Sequence, residues 1–528
     1  MAQIKIENLS FGYSLCESDC LDGINLTINS GEYVVLCGKS GCGKTSLLRH
    51  IKPSLAPKGR KNGKIFIDGI ETDKLSFRDQ SEKIGFVMQD PDSQIVTDKV
   101  WHELAFGLEN LGLKTAEIRM RVAEMAAYFG IDDWFGKKTD ELSGGQKQML
   151  NLACAMAMHP DILVLDEPTS QLDPIAADRF LATISRINRD LGVTVIISEH
   201  RLEEIFHCAD RIVILENGKI IADDIPQKIG ATAHELPQYV RLCLPTAMRI
   251  FSAVNGDGNS PVSVRDGRKW LGTQKIYTDK LKKDRPHLNE ETAIKLKNIS
   301  FRYEKNGADI LSSLDIEIPE NSIFALLGGN GAGKTTLTKV ILGIEKPYTG
   351  KLKVNGSITV LPQDVLSLFA LRTVRAELEE MTSENEKIRE VSVLTGISPL
   401  LDSHPYDISG GEQQRLGVAK ILLCDRDIYF FDEPTKGMDA EFKITFAKII
   451  ERLKMQGKTV VLVSHDIEFC AEHAEMCAML FDGKISAVLP ADDFFDGNRF
   501  YTTAANKISK GFITGAVTDK DVIKCLKK

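Results

Sequence analysis

The sequence predicts an α/β protein made of two tandem domains of one design, each built around a parallel sheet. Three observations carry that expectation. A glycine-rich GxxxxGK[ST] loop occurs twice, each time after an apolar run and before a leucine-bearing helical pattern. An apolar run ending in Asp-Glu follows each loop downstream, and the order of landmarks, with the interval of 23 positions that leads to each glutamate, is kept from one half to the other. The 528 residues, 43% hydrophobic and 27% charged, suffice for more than one buried core and exclude disordered, collagen-like and fibrous classes.

In chain order, the residues from Ile4 to Tyr13 alternate apolar and polar side chains as a strand does. The apolar residues 33–37 then lead into Gly38-Lys39-Ser40-Gly41-Cys42-Gly43-Lys44-Thr45-Ser46. In such a loop the glycines let the backbone wrap phosphate groups and the N–H groups of loop and helix point at them. Lys44 neutralises charge, and the Thr45 hydroxyl offers an oxygen to Mg2+. Cys42 is read as a small residue that the loop tolerates, not as a redox sensor. Further on, Leu142-Ser143-Gly144-Gly145-Gln146 precedes the apolar residues 162–165, which end in Asp166-Glu167. A buried strand that brings two carboxylates to the C-terminal edge of a parallel sheet suits a metal-bound nucleotide.

The second half repeats these landmarks. Tyr303 stands in SFRY as Tyr13 stands in SFGY, and Ile323–Leu327 leads into Gly328-Gly329-Asn330-Gly331-Ala332-Gly333-Lys334-Thr335-Thr336. Ile408-Ser409-Gly410-Gly411-Glu412 precedes Ile428-Tyr429-Phe430-Phe431-Asp432-Glu433. The interval from the first signature glycine to the glutamate is 23 positions in both halves (167 − 144 and 433 − 410), which makes this one duplicated unit.

Composition bounds the setting. The formal charge of −8, from 66 basic and 74 acidic side chains, gives no large positive field, so nucleic acid is not expected as a partner. Eleven cysteines without a CxxC pair read as reduced thiols of a cytoplasmic protein. The N-terminus lacks the zones of a secretion signal, and no segment approaches about 20 consecutive apolar residues.

With these motifs the sequence closely resembles the ATP-binding cassette family across both halves. The resemblance implies two P-loop NTPase domains, each with a RecA-like parallel-sheet core, an antiparallel β subdomain and an α-helical signature subdomain. The glycine loops look like Walker A motifs, the acidic strands like Walker B motifs, and LSGGQ is the family's signature. Gln89 and Gln363 resemble the Q-loop glutamines, His200 and His465 the switch histidines, Asp173 and Asp439 the D-loop aspartates, and Tyr13 and Tyr303 the aromatics that stack on adenine. The implied activity is MgATP hydrolysis. Gly38, Ser40, Gly41, Cys42, Gly43, Lys44, Thr45 and Ser46, with Gly328, Asn330, Gly331, Ala332, Gly333, Lys334, Thr335 and Thr336, would hold the phosphates. Thr45, Gln89 and Asp166, and in the second half Thr335, Gln363 and Asp432, would hold Mg2+. Glu167 and Glu433 would orient or deprotonate the attacking water, with His200 and His465 contacting the transferred phosphoryl group. The resemblance further implies that the two cassettes of the chain pair head to tail. Ser143 and Gly145 would then serve the nucleotide on Lys334, and Ser409 and Gly411 the one on Lys44.

The halves are not identical. Lys44 and Gln89 lie 45 positions apart (89 − 44), Lys334 and Gln363 only 29 (363 − 334), and the signatures end in Gln146 and Glu412. The extra carboxylate is expected to slow one site modestly.

The segment from Gln89 to Leu113 resembles the corresponding part of energy-coupling factor transporter ATPases, where a short helix meets a transmembrane coupling subunit. Trp101, Leu104, Ala105 and Leu108 recur at i, i+3, i+4 and i+7, one apolar helical face that in part packs within the domain. Charge at Leu104 or Leu108 is expected to weaken the coupling contact. The resemblance implies an energising subunit at the cytoplasmic face of a cell membrane. It would partner a transmembrane coupling subunit and a substrate-binding membrane subunit in the uptake of a vitamin or transition-metal ion. Alternatives are a soluble twin-cassette ATPase acting on ribosomes or translation factors, and the fused ATPase of a sugar importer.

The expected domains are 1–225 and 292–489. Residues 226–291 form an accessory helical segment followed by a Gly-, Pro- and charge-rich linker, and 490–528 are a C-terminal tail that makes a dimer contact or ends mobile.

Overall fold

The computed structural model describes residues 3–14, 18–199, 202–281, 283, 289–329 and 331–527. The chain divides into two compact units, Met1–Ser263 and Val264–Lys528.

In the first unit, the six-stranded sheet runs in the order Lys219–Asp224, Arg211–Glu216, Tyr33–Gly38, Thr194–Ser198, Ile162–Asp166, Ile84–Val87. Its strands are parallel except for Lys219–Asp224 at one edge. The central strands Tyr33–Gly38, Ile162–Asp166 and Thr194–Ser198 are buried almost throughout, as their unbroken apolar runs require when both faces are covered. A separate antiparallel sheet orders Leu21–Ile28, Ile4–Tyr13, Gly59–Ile67 and Ile70–Glu71, and it alternates buried with exposed residues because one face meets water. Helices Val100–Asn110, Thr115–Phe129 and Gly144–Ala157 make the helical subdomain.

The second unit repeats this plan. Its six-stranded sheet runs Ile358–Leu361, Ile428–Asp432, Thr459–Val463, Ile323–Leu327, Met476–Phe481, Lys484–Pro490, and a three-stranded antiparallel sheet carries Thr292–Phe301 in its middle. The shorter interval before Gln363 has a structural counterpart. The first unit inserts strand Ile70–Glu71 and helix Phe77–Lys83, whereas in the second Thr349–Val354 is followed directly by Ile358–Leu361.

Two regions differ from the sequence reading. Residues 264–271, read as linker, form a helix that belongs to the second unit, where Arg268 donates to the carbonyls of Lys507 and Lys510 at 2.7 and 2.8 Å and so caps a helix C-terminus. The tail folds into helices Ala491–Gly497, Ala504–Ser509 and Asp519–Leu526; Phe494, Phe495, Val517, Val522 and Cys525 are buried, which removes the reading of a mobile end. Among the described residues no helix is long and apolar enough to cross a membrane.

Candidate functional site

In each unit the parallel register brings the C-terminal ends of three strands together, and several of the predicted residues meet there. In the first, strand Tyr33–Gly38 delivers the glycine loop and helix Lys44–Ile51 leaves it. Gly38 (φ 150°) has no room for a side chain: a Cβ would lie 2.3 Å from the Leu215 carbonyl oxygen and 2.7 Å from Cys42 Sγ. Gly41 (φ 79°) instead faces open space. The loop therefore needs glycine for conformation at both positions and for packing at one. The buried Lys44 ammonium donates to the carbonyls of Gly38 (2.9 Å) and Lys39 (3.2 Å) and stands 4.0 Å from Glu167 Oε1.

Parallel pairing sets Ser198 opposite Asp166. Ser198 Oγ donates to Asp166 Oδ1 at 2.9 Å and Thr45 Oγ1 to the same oxygen at 3.1 Å. Burial raises the Asp166 carboxyl above its ordinary range, and the two hydroxyls oppose that rise. Glu167 has φ 44°, an uncommon left-handed conformation for a residue with a Cβ, and accepts from Gln89 Nε2 at 3.0 Å.

The second unit has the same scaffold with other partners. Lys334 donates to the carbonyls of Gly328 (2.8 Å) and Gly329 (3.1 Å), and its Nζ also lies 2.9 Å from His465 Nε2. Glu433 is left-handed too (φ 50°), but it meets His465: the His465 backbone N–H donates to Oε2 at 3.2 Å, and the ring Nε2 lies 3.3 Å from Oε1. Val463 occupies the position opposite Asp432, so among the described residues no strand hydroxyl answers that carboxylate. Burial lifts Asp432 to about 6 and Glu433 to about 7, against the lowering charge of Lys334.

Tyr13 and Tyr303 are alike. Each packs edge-on against the phenylalanine two residues before it and bonds the phosphate-loop helix through its hydroxyl, Tyr13 to Ser46 Oγ (2.9 Å) and Tyr303 to Thr336 Oγ1 (3.2 Å). Both rings stay exposed, as a stacking surface must.

Ser143 and Ser409 are the N-caps of helices Gly144–Ala157 and Gly410–Leu422. Each cap is a capping box: Gln146 accepts the Ser143 N–H at 2.9 Å, and Glu412 accepts the Ser409 N–H at 2.8 Å and its hydroxyl at 2.7 Å. The Glu412 carboxylate is thus turned back onto its own helix end, and the expected slowing by a loose acidic group loses its physical basis. The D-loop aspartates are N-caps as well. Asp173 accepts from Ala176 N (2.7 Å) and Asp439 from Phe442 N (2.8 Å).

Not every expected residue joins its group. Among the described residues no hydrogen bond links Gln363 to Glu433, and Gln363 stands exposed. His200 and Asn330 lie outside the described residues. The apolar face after Gln89 is a correction: Leu104, Ala105 and Leu108 are buried in the first unit's core, and only Trp101, stacked on His102, is exposed. Charge at Leu104 or Leu108 would damage the core whatever docks outside. Ser198 escaped the sequence reading; its signal was its place as the last residue of a strand running parallel to the Asp166 strand.

Loops whose glycines take positive φ, a buried lysine at each, and a hydroxyl–carboxylate pair at Thr45 and Asp166 form a donor set suited to a polyphosphate with a hard divalent cation. The sequence profile of the ABC transporter family matches residues 21–170 and 311–436, one span in each unit. The chain belongs to the ABC transporter family.

This ABC ATPase is 37% identical to a provisionally named ABC transporter ATP-binding protein of Bacillus thuringiensis subsp. konkukian, over 99% of this chain and 98% of the relative. A similarly named protein of Methanosarcina mazei is 31% identical over 94% of this chain and 90% of its own length. Among solved structures, that of the archaeal ribosome recycling factor aABCE1 with the ribosomal stalk protein aP1 matches with a TM-score of 0.63 at 20% identity, covering 93% of this chain and 91% of that one. At that identity the likeness shows the twin-cassette fold.

Proposed function

We propose that this twin-cassette ABC ATPase is the energising subunit of an importer of the energy-coupling factor type, working at the cytoplasmic face of a membrane with separate coupling and substrate-binding subunits. The observation that carries the reading is the match to transporter-named relatives over nearly the whole chain, both cassettes and the tail included. The resemblance of the segment after Gln89 supports it, and there Val96 and Trp101 are exposed. In the cassettes, Lys44 and Lys334 bind phosphate charge and Tyr13 and Tyr303 take the base. Thr45 and Asp166, with Thr335 and Asp432, hold Mg2+, which supplies charge neutralisation on the phosphates when bound. Glu167 and Glu433 position the attacking water.

The test is co-purification of the intact chain with a membrane coupling subunit encoded beside it, using Trp101→Glu and Val96→Glu. Loss of the membrane partner with ATP hydrolysis retained supports the reading. Co-sedimentation with ribosomes in place of any membrane partner would overturn it and favour a translation role.

A further inference from the structure

Each cassette carries a helical appendix after its last strand, and each appendix is bonded to the same place. Three residues after His200 comes Glu203, whose Oε2 accepts the backbone N–H of Thr246 at 2.6 Å. Three residues after His465 comes Glu468, whose Oε1 accepts the backbone N–H of Ala504, also at 2.6 Å. Thr246 and Ala504 are the first residues of helices Thr246–Ala253 and Ala504–Ser509, so both carboxylates answer an N–H that the helix itself leaves unpaired. The appendices also pack beneath the phosphate-loop strands. Val240, Leu244 and Met248 share a core with Cys37, Leu202 and Ile205, and Phe494, Phe495 and Val517 share one with Ala325, Leu327 and Cys470. In the second unit Tyr501 packs against the same cluster. One helical unit in each cassette thus touches the segment after the switch histidine through a charged bond and the phosphate-loop strand through apolar packing.

We infer that Glu468 is a positioning residue that ties the segment following His465 to the appendix, so that this histidine is held at the distance hydrolysis requires, and that Glu203 ties the segment from Leu202 onward to the first appendix in the same way. A packing role alone does not require a carboxylate there; a short charge-assisted bond fixes distance and direction as apolar contact does not. The inference rests on the reading of His200 and His465 as switch residues.

The experiment measures steady-state ATP hydrolysis by the full chain. Glu468→Leu is expected to lower kcat about fivefold, within the range of coupling through such networks, with KM for ATP and the melting temperature little changed. Glu468→Gln, which can still accept the N–H, restores most of the rate. Ala504→Pro removes the donor from the other side at a position where proline suits a helix, and Thr503 before it is already extended (φ −66°, ψ 157°). It is expected to reproduce the loss, and the double variant is expected to add nothing further. Glu203→Leu, Glu203→Gln and Thr246→Pro are the matching set in the first cassette. An unchanged kcat in both leucine variants, or a loss that glutamine does not restore or that follows the melting temperature, overturns the proposal. His465→Ala separates the two readings: if it leaves kcat intact the switch assignment fails, and if it abolishes hydrolysis while Glu468→Leu does not, only the present inference fails.

Discussion

In the first cassette Glu167 accepts from Gln89, and Asp166 accepts from both Ser198 and Thr45; in the second, Glu433 faces His465 and Lys334, and Asp432 stands opposite Val463. The motif letters are the same, yet the carboxylates differ in electrostatics because one strand ends in a hydroxyl and the other in an isopropyl group. A second difference lies under the helical subdomains. Glu103 and Glu377 are equivalent buried carboxylates, accepting from the N–H groups of Val96 and Thr97 and of Ala370 and Leu371 respectively. Glu377 is also paired with Lys420, whereas Cys154 fills the lysine's place in the first cassette. Likewise Arg415 clamps Asp439 at 2.7 Å, where the first cassette has Met149. At these two positions the second cassette has ion pairs and the first has the uncharged Cys154 and Met149.

The largest effect should come from the glutamates. Glu167→Gln and Glu433→Gln are each expected to lower hydrolysis at their own site about 100-fold or more. If phosphate release by the purified chain falls equally in the two variants, the electrostatic difference between the cassettes has no kinetic meaning. Next, Lys420→Met leaves the Glu377 charge buried without its cation and should destabilise the second cassette by about 3 kcal/mol, read as a lower unfolding midpoint. Cys154→Met, which removes no charge partner, is the control and should cost far less.

The pH profile sharpens the contrast. Glu433 titrates near about 7, raised by burial, so below that pH it gains a proton and loses the ability to accept one from water. With the first site silenced by Glu167→Gln, kcat/KM should fall about tenfold per unit as pH drops below about 7. Val463→Ser, which imports the Ser198 hydroxyl, should favour the charged form of Asp432 and, because that charge raises Glu433, move the fall to slightly higher pH; a profile that does not move would show that the strand-end residue does not tune the site. The smallest effect is expected from Glu412→Gln. The capping box survives as it does with Gln146, so hydrolysis should stay within about twofold and stability within about 0.5 kcal/mol.

Much of the fold and site was legible because phosphate binding makes local demands. A loop that must wrap an anion needs glycine at particular places, and a strand buried on both faces must be apolar throughout, so residues 33–45 and 162–167 declare themselves. Side-chain direction was harder to read. Trp101, Leu104 and Leu108 share a helical face, yet which part of it meets the core depends on where helices Thr115–Phe129 and Gly144–Ala157 lie, and those contacts are distant in sequence. The tail was illegible for the same reason, since its short helices are stable only through packing against Ala325, Leu327 and Cys470.

By itself, the sequence determined the duplication, the two phosphate loops, the acidic strand ends and the family, since each is a short motif whose chemistry is contained in neighbouring residues. Only the tertiary structure decided that Ser198 answers Asp166 while Val463 leaves Asp432 to desolvation, that Glu412 caps its own helix, and that Glu203 and Glu468 reach the appendices. These outcomes depend on parallel register and on contacts between residues tens of positions apart, which no local pattern encodes.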